Sequence, residues 1–119
     1  MVYPDNFEDK IGFQRIRELL VDLCLSPMGC RNVEDMKFFT DYSVINALVS
    51  ETAEMRHICL MESDFPAQDY FDLTPMFRNI AIPGTFPTVE DMFALKKSLE
   101  TIRAILSFFR GKGNEYPLL

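Results

Sequence analysis

Six apolar residues near the end of the chain, Met92, Leu95, Leu99, Ile102, Leu106 and Phe109, follow one another at spacings of three, four, three, four and three. That spacing fits one stripe of an α-helix and cannot sit on one face of a strand. The segment is bounded on one side by Ile82-Pro83-Gly84-Thr85-Phe86-Pro87, the clearest turn cluster of the chain, and on the other by Gly111-Lys112-Gly113-Asn114. Thr88 with Asp91 three residues on resembles a capping box, so the helix is expected from Thr88 to about Arg110. At about 22 residues it would be a rod of ~33 Å.

Helical periodicity runs through nearly all the rest. Phe13, Ile16, Leu20 and Leu23 define a first stripe, widened by Leu19, in a helix opened by Gly12. Leu25-Ser26-Pro27 ends it and starts another, with Ser26 as N-cap and Pro27 in the first helical position. That short helix, about Pro27 to Met36, is expected to carry Met28, Val33 and Met36 inward, and Gly29 weakens it. A longer helix over about Asp41 to Glu62, capped by Thr40, has the seam Ile45, Leu48, Thr52, Met55, Cys59 and Glu62, with Val44, Val49 and Ile58 beside it. Phe65-Pro66 breaks the pattern, and 64–74 reads as loop anchored by Tyr70, Phe71 and Leu73. Thr74-Pro75 starts a short helix to about Ile80. Strand alternation is absent except in the short Arg78 to Ile82 stretch. The expected fold is an all-α helical bundle over residues 1–119, a single domain whose two long helices pack antiparallel.

Composition narrows the function. The 119 residues suffice for one small core, and the balance of 48% hydrophobic and 25% charged residues is that of an ordinary globular chain. No apolar run reaches the ~18 residues a membrane span needs. The start, Met1-Val2-Tyr3-Pro4-Asp5, has no basic region followed by an apolar stretch, so no signal peptide is expected and the chain reads as cytoplasmic. Net charge is −6, which argues against a self-sufficient nucleic-acid binder. The nearest approach to a basic patch is Lys96, Lys97, Arg103 and Arg110, diluted by Glu90, Asp91 and Glu100, and reads as a solvated helix face. Cys24, Cys30 and Cys59 are odd in number, lack zinc-type spacing and are expected to be buried reduced thiols.

Catalytic constellations are not found. His57, the single histidine, has no acid, cysteine or serine at a catalytic spacing and reads as a packing residue. Glu51, Glu54, Glu62, Asp64, Asp69 and Asp72 form an acidic stretch without EF-hand spacing. Gly111-Lys112-Gly113 lacks the upstream glycine and the Ser or Thr of a phosphate loop. Eleven phenylalanines and seven methionines are core and interface material, since base stacking needs a positive groove beside it. No catalytic, cofactor-binding or metal-binding residue is assigned. By residues alone this is a helical domain that scaffolds or binds, not an enzyme.

A set of weak positions at consistent spacing adds to that reading: Tyr3-Pro4, Asn6-Phe7-Glu8, Lys10-Ile11-Gly12-Phe13, Ile16-Arg17, Cys24-Leu25-Ser26-Pro27, Gly29, Met36-Lys37-Phe38, Phe65-Pro66-Ala67-Gln68, Tyr70-Phe71-Asp72, Ile80, Gly84-Thr85, Leu95 and Ser98-Leu99-Glu100-Thr101-Ile102-Arg103. Together they resemble the N-terminus of the MutS-related family that lacks the mismatch-reading domain, the second MutS family. Tyr3-Pro4, Phe65 to Gln68 and Ser98 to Arg103 look like its Bacteroides-type branch. The resemblance implies the beginning of a helical core in a much longer protein, with a coiled-coil clamp, an ATPase using ATP and Mg, and often a C-terminal nuclease domain further on. None of those motifs falls in residues 1–119, so no catalytic residue is carried over.

By resemblance the ligand of the whole protein is DNA in repair or recombination control, or alternatively stalled ribosomes. A stand-alone helical adaptor is the reading independent of resemblance. The sequence departs from the family pattern at Cys30, Ser43-Val44, Ala47, Ala53, Cys59-Leu60-Met61 and Ala81-Ile82, where charged residues are expected. Its surface is therefore more apolar than the family's. With Phe93, Ile105 and Phe108 beside the last seam, self-association through that helix is expected, alongside burial by the clamp and later core helices of its own chain.

Overall fold

The computed structural model describes residues 5–119, so Tyr3-Pro4 of the opening motif and the Met1-Val2 start lie outside the described residues. The elements are α1 (Phe7–Lys10), α2 (Phe13–Asp22), α3 (Pro27–Glu34), α4 (Tyr42–Met61), α5 (Thr74–Ile80) and α6 (Val89–Phe109). No strand occurs among the described residues, so the fold is all-α and the Arg78 to Ile82 stretch is helix and turn. The chain divides into two compact units, residues up to Lys37 and Phe38–Leu119.

In the first unit Gly12 turns α1 into α2 with φ 74°, a left-handed conformation that glycine adopts without steric cost. Ser26 caps α3 as its sequence suggests, its Oγ accepting from Gly29 N at 3.1 Å, with Pro27 in the first turn. The inward face of α2 differs from the expected stripe. Phe13, Arg17, Val21 and Cys24 are half-buried, while Ile16, Leu20 and Leu23 are exposed. Arg17 decides this. Its guanidinium donates to Glu8 at 3.1 Å and to the Met36 carbonyl at 2.6 Å, and lies 5.2 Å from the Phe13 ring centre. One side chain thus ties α1, α2 and the end of the α3 region together, which an apolar stripe cannot do. Val33 and Met36 are half-buried as expected, whereas Met28 is exposed.

In the second unit Asp41 caps α4, accepting from Ser43 N at 2.8 Å and Val44 N at 3.4 Å. This corrects Thr40 by one residue: carboxylate acceptors make strong caps for the orphan N–H groups of a first turn. The two long helices do not lie side by side along their lengths. They meet where Ile58, fully buried, packs with Phe108 and Tyr116, flanked by Met55, Phe65 and Phe109. Phe65 and Phe108 stack edge to face at 5.1 Å, as do Phe108 and Phe109 at 5.2 Å. Ile58 takes the inside position expected of Cys59, which is exposed.

The tail closes this junction. Gly111, at φ 87°, stops α6 in the left-handed conformation typical of helix ends. The following turn, with Tyr116 N donating to Lys112 O at 3.0 Å, brings Tyr116 back onto α4. Tyr116 Oη donates to Glu62 Oε1 at 3.1 Å, Lys112 Nζ pairs with Glu62 Oε2 at 2.8 Å and lies 4.1 Å from the Phe108 ring centre, and Leu118 N donates to Glu54 at 3.0 Å.

Along the rest of α6 the covered face is not the apolar seam. Ser98, Thr101 and Phe108 are buried and Ala94 and Ile105 half-buried, a second stripe at spacings of four, three, four and three. At 3.6 residues per turn it lies roughly 110° round the helix from the seam. The Phe65–Phe71 segment lies against it: Thr101 Oγ1 donates to the Gln68 carbonyl at 3.4 Å. Small side chains let a backbone segment approach closely, and Thr101 offers that backbone a donor, which a leucine row would not. Ser98 Oγ is buried there without a hydrogen-bond partner, a burden of about 1–3 kcal/mol.

This arrangement inverts the stability map that the periodicity predicts. Ile58→Ala is expected to cost about 2–5 kcal/mol in denaturant unfolding. Leu99→Ala, at a seam position, is expected to stay within about 0.5 kcal/mol of the parent. Ser98→Ala is expected to gain about 1 kcal/mol by removing the unpaired hydroxyl. Equal losses at Ile58 and Leu99 would contradict the arrangement.

Candidate interaction surface

Helix α6 starts from a complete capping box. Asp91 N donates to Thr88 Oγ1 at 3.1 Å and Thr88 N donates back to Asp91 at 2.9 Å. That start fixes the helix, and the 65–71 segment and the Phe108 junction fix its rotation. The seam is left in solvent: Leu99 is 57% exposed, Ile102 52% and Leu106 65%, with Met92 also exposed. Leu95 is half-buried. Met92, Leu95, Lys96, Leu99, Glu100 and Arg103 line a shallow groove along it, almost wholly apolar in its walls. The first half of α4 is similarly open, with Val44, Ile45, Leu48 and Val49 exposed.

An apolar row exposed over several turns of one helix differs from the singly scattered apolar residues of an ordinary protein surface.

Several of the titratable groups singled out in the sequence make contacts within the fold. His57 packs its ring 6.0 Å from that of Tyr116. The acidic stretch is dispersed: Glu62 pairs with Lys112, Glu54 accepts from Leu118 N, Asp72 accepts from Thr74 N at 3.0 Å, and Asp69 occupies a left-handed turn position at φ 61°. Among the described residues no group of three His, Cys, Asp or Glu is placed to hold a metal. Lys112 of the Gly111-Lys112-Gly113 stretch belongs to the junction above. The cysteines correct their expectation: Cys24 and Cys30 are half-buried, Cys59 is exposed, and all three are free. Partial burial, then the nearby Cys30, pushes the Cys24 thiol up. No helix among the described residues is long and apolar enough to cross a membrane.

The sequence marks the seam residues and leaves their burial to self-association or to the core, and it gives no role to Tyr116. The signal for Tyr116 was present: an aromatic residue just beyond a glycine-bounded helix end has a short tether back to the core.

No family model matches the chain, and no solved structure matches it. Among curated proteins it is similar to an Endonuclease MutS2 of Alkaliphilus oremlandii (strain OhILAs), 23% identical over 111 residues, which is 92% of this chain and 14% of that protein. It is also similar to an Endonuclease MutS2 of Leuconostoc mesenteroides subsp. mesenteroides, 24% identical over 99 residues, 83% of this chain and 12% of that protein. The similarity is distant and runs along most of the chain, which spans about one-seventh of the length of the first relative and one-eighth of the second.

The junction that sets the surface is pH-dependent. The Lys112 ammonium donating to Glu62 holds that carboxyl below its ordinary value, against the opposing effect of burial. The same bond pushes Lys112 up, and burial together with the Glu62 bond pushes the Tyr116 phenol up. The Glu62 contribution is complete above the ordinary glutamate range and is lost as pH falls through its lowered folded value. The Lys112 and Tyr116 contributions are complete below their ordinary values and are lost as pH rises through their raised ones. Melting temperature followed against pH should show a plateau between these limits. Glu62→Gln should melt lower on the plateau and converge with the parent in acid. Parallel profiles for the two proteins would show that the pair contributes nothing.

Proposed function

We propose that this chain is a non-catalytic helical core segment of a MutS-related, DNA-associated ATPase of the second MutS family, in which its helices carry mechanical change between parts of the protein. The observation that carries the reading is the open α6 seam in a chain similar to MutS2 proteins over most of its length. A helix held rigidly at its capping box and at the Phe108 junction, yet open along its apolar side, suits a strut that other helices pack upon. Helix shifts at such packed interfaces are a common way to transmit a conformational change. The relatives' name, Endonuclease MutS2, supports a nuclease in the whole protein, and the family resemblance supports ATP and Mg chemistry there. The ligand of the whole protein would be branched DNA in repair or recombination control. Stalled ribosomes are the alternative ligand within the same family. The cell compartment in either case is the cytoplasm. A free-standing adaptor is the competing reading outside the family, favoured by the same open seam.

Binding of the whole gene product to four-way DNA junctions against its co-sedimentation with ribosomes separates the two ligands. Purified residues 1–119 are expected to show no ATP turnover and no plasmid cleavage. Their junction-DNA affinity at physiological salt is expected to be no tighter than about 10⁻⁴ M, given the net charge of −6. A micromolar dissociation constant, or turnover abolished by substituting this chain's own carboxylates, would overturn the scaffold reading.

A further inference from the structure

Between Met92 and Arg110 the chain carries Lys96, Lys97, Arg103 and Arg110 against one acid, Glu100, although the whole chain is strongly acidic. Of the three acids that dilute this cluster in the sequence, Glu100 lies within it and the other two do not. Asp91 is held in the capping box, and Glu90 lies in the first turn, off the seam. Taking Met92, Leu99 and Leu106 as one row of a heptad and Leu95, Ile102 and Phe109 as the other, Lys96, Arg103 and Arg110 fall at successive seven-residue intervals on one edge of the seam. All three are exposed. Lys96 touches Glu100 at 3.8 Å and Lys97 touches it at 3.5 Å, exposed contacts of little strength that leave the row net positive. The opposite edge, through Ser98 and Ile105, is buried at Ser98 and half-buried at Ile105.

The seam therefore has one free edge, and that edge is cationic. From Met92 to Leu106, before Phe109 enters the core junction, it runs about 21 Å, enough to seat roughly two heptads of a partner helix. Charges on this edge decide which partner fits and which is rejected. The two edges weigh against a second copy of α6 in both orientations. Antiparallel pairing centred between Leu99 and Ile102 matches the apolar rows but sets Lys96 beside the second copy's Arg103, twice. Parallel pairing sets the cationic edge of each helix against the other's covered edge. Self-association through this helix, which the periodicity alone suggests, is thus opposed by its charges.

We propose that the α6 seam is a docking site for an amphipathic helix of another protein segment, with apolar residues in heptad spacing and Asp or Glu along the edge that faces Lys96, Arg103 and Arg110. The inference stands on α6 alone and is independent of the MutS-related reading.

Two synthetic helices test it, each about four heptads long with Leu at both core positions, one with Glu and one with Lys at the flanking positions. Fluorescence anisotropy with the purified chain should show the Glu-edged peptide binding at least roughly tenfold more tightly. That preference should shrink at high salt, where the screening length falls to about 3 Å at 1 M. The double variant Lys96→Glu, Arg103→Glu should reverse the preference. Both side chains are exposed, so its circular dichroism should match the parent. Leu99→Asp should abolish binding of either peptide. Equal affinity for the two peptides, no affinity for either, or a homodimer through α6 that the double variant leaves intact would each overturn the proposal.

Discussion

The fold of Phe38–Leu119 depends on the junction where Ile58, Phe108 and Tyr116 close on one another under the Glu62–Lys112 pair. Long helices do not need each other to be helical, but they need something to fix how they are rotated. Here the fixing is done at one end of each, by aromatic edge-to-face contacts and a charge-assisted hydrogen bond. Lys112 serves both, pairing with Glu62 while lying over Phe108. Once Phe108 is turned inward, helical geometry turns Ser98 and Thr101 inward as well, and the leucine row must face out.

Rotation is thus the quantity that converts sequence into function. If α6 were rotated by about a third of a turn, its seam would be core and α6 would offer no apolar face. The small stripe Ala94, Ser98 and Thr101 takes the irregular Phe65–Phe71 segment, bonded at Thr101, and the neighbouring leucine row stays exposed on the same helix.

Much of the helix order was legible because local chemistry decides it. Thr88 with Asp91, and Ser26 with Pro27, cap helices where their sequence says, since a cap is satisfied within three residues. Asp41 replaced Thr40 because two adjacent acceptors compete for the same N–H groups. Facing was not legible. Leu95–Leu106 and Ala94–Phe108 follow the same three-and-four rhythm, and hydrophobicity alone favours the first. Choosing the second required knowing that Tyr116 and the 65–71 segment come to that side, which is non-local information. Arg17 illustrates the same point in the other unit: a cation held by Glu8 and the Met36 carbonyl displaces an apolar stripe from the inside. The cationic edge of the α6 seam was visible as three positively charged residues at seven-residue intervals. Its meaning depended on whether the seam beside it was buried or open.

The rotation of α6 is measured most directly by methyl NMR with a soluble paramagnetic agent that broadens solvent-exposed signals. At concentrations where the chain is monomeric, the methyl signals of Leu99, Ile102 and Leu106 should broaden strongly while those of Ile58 and Thr101 stay sharp. The reverse pattern, with the leucine row protected and Thr101 broadened, would contradict the account.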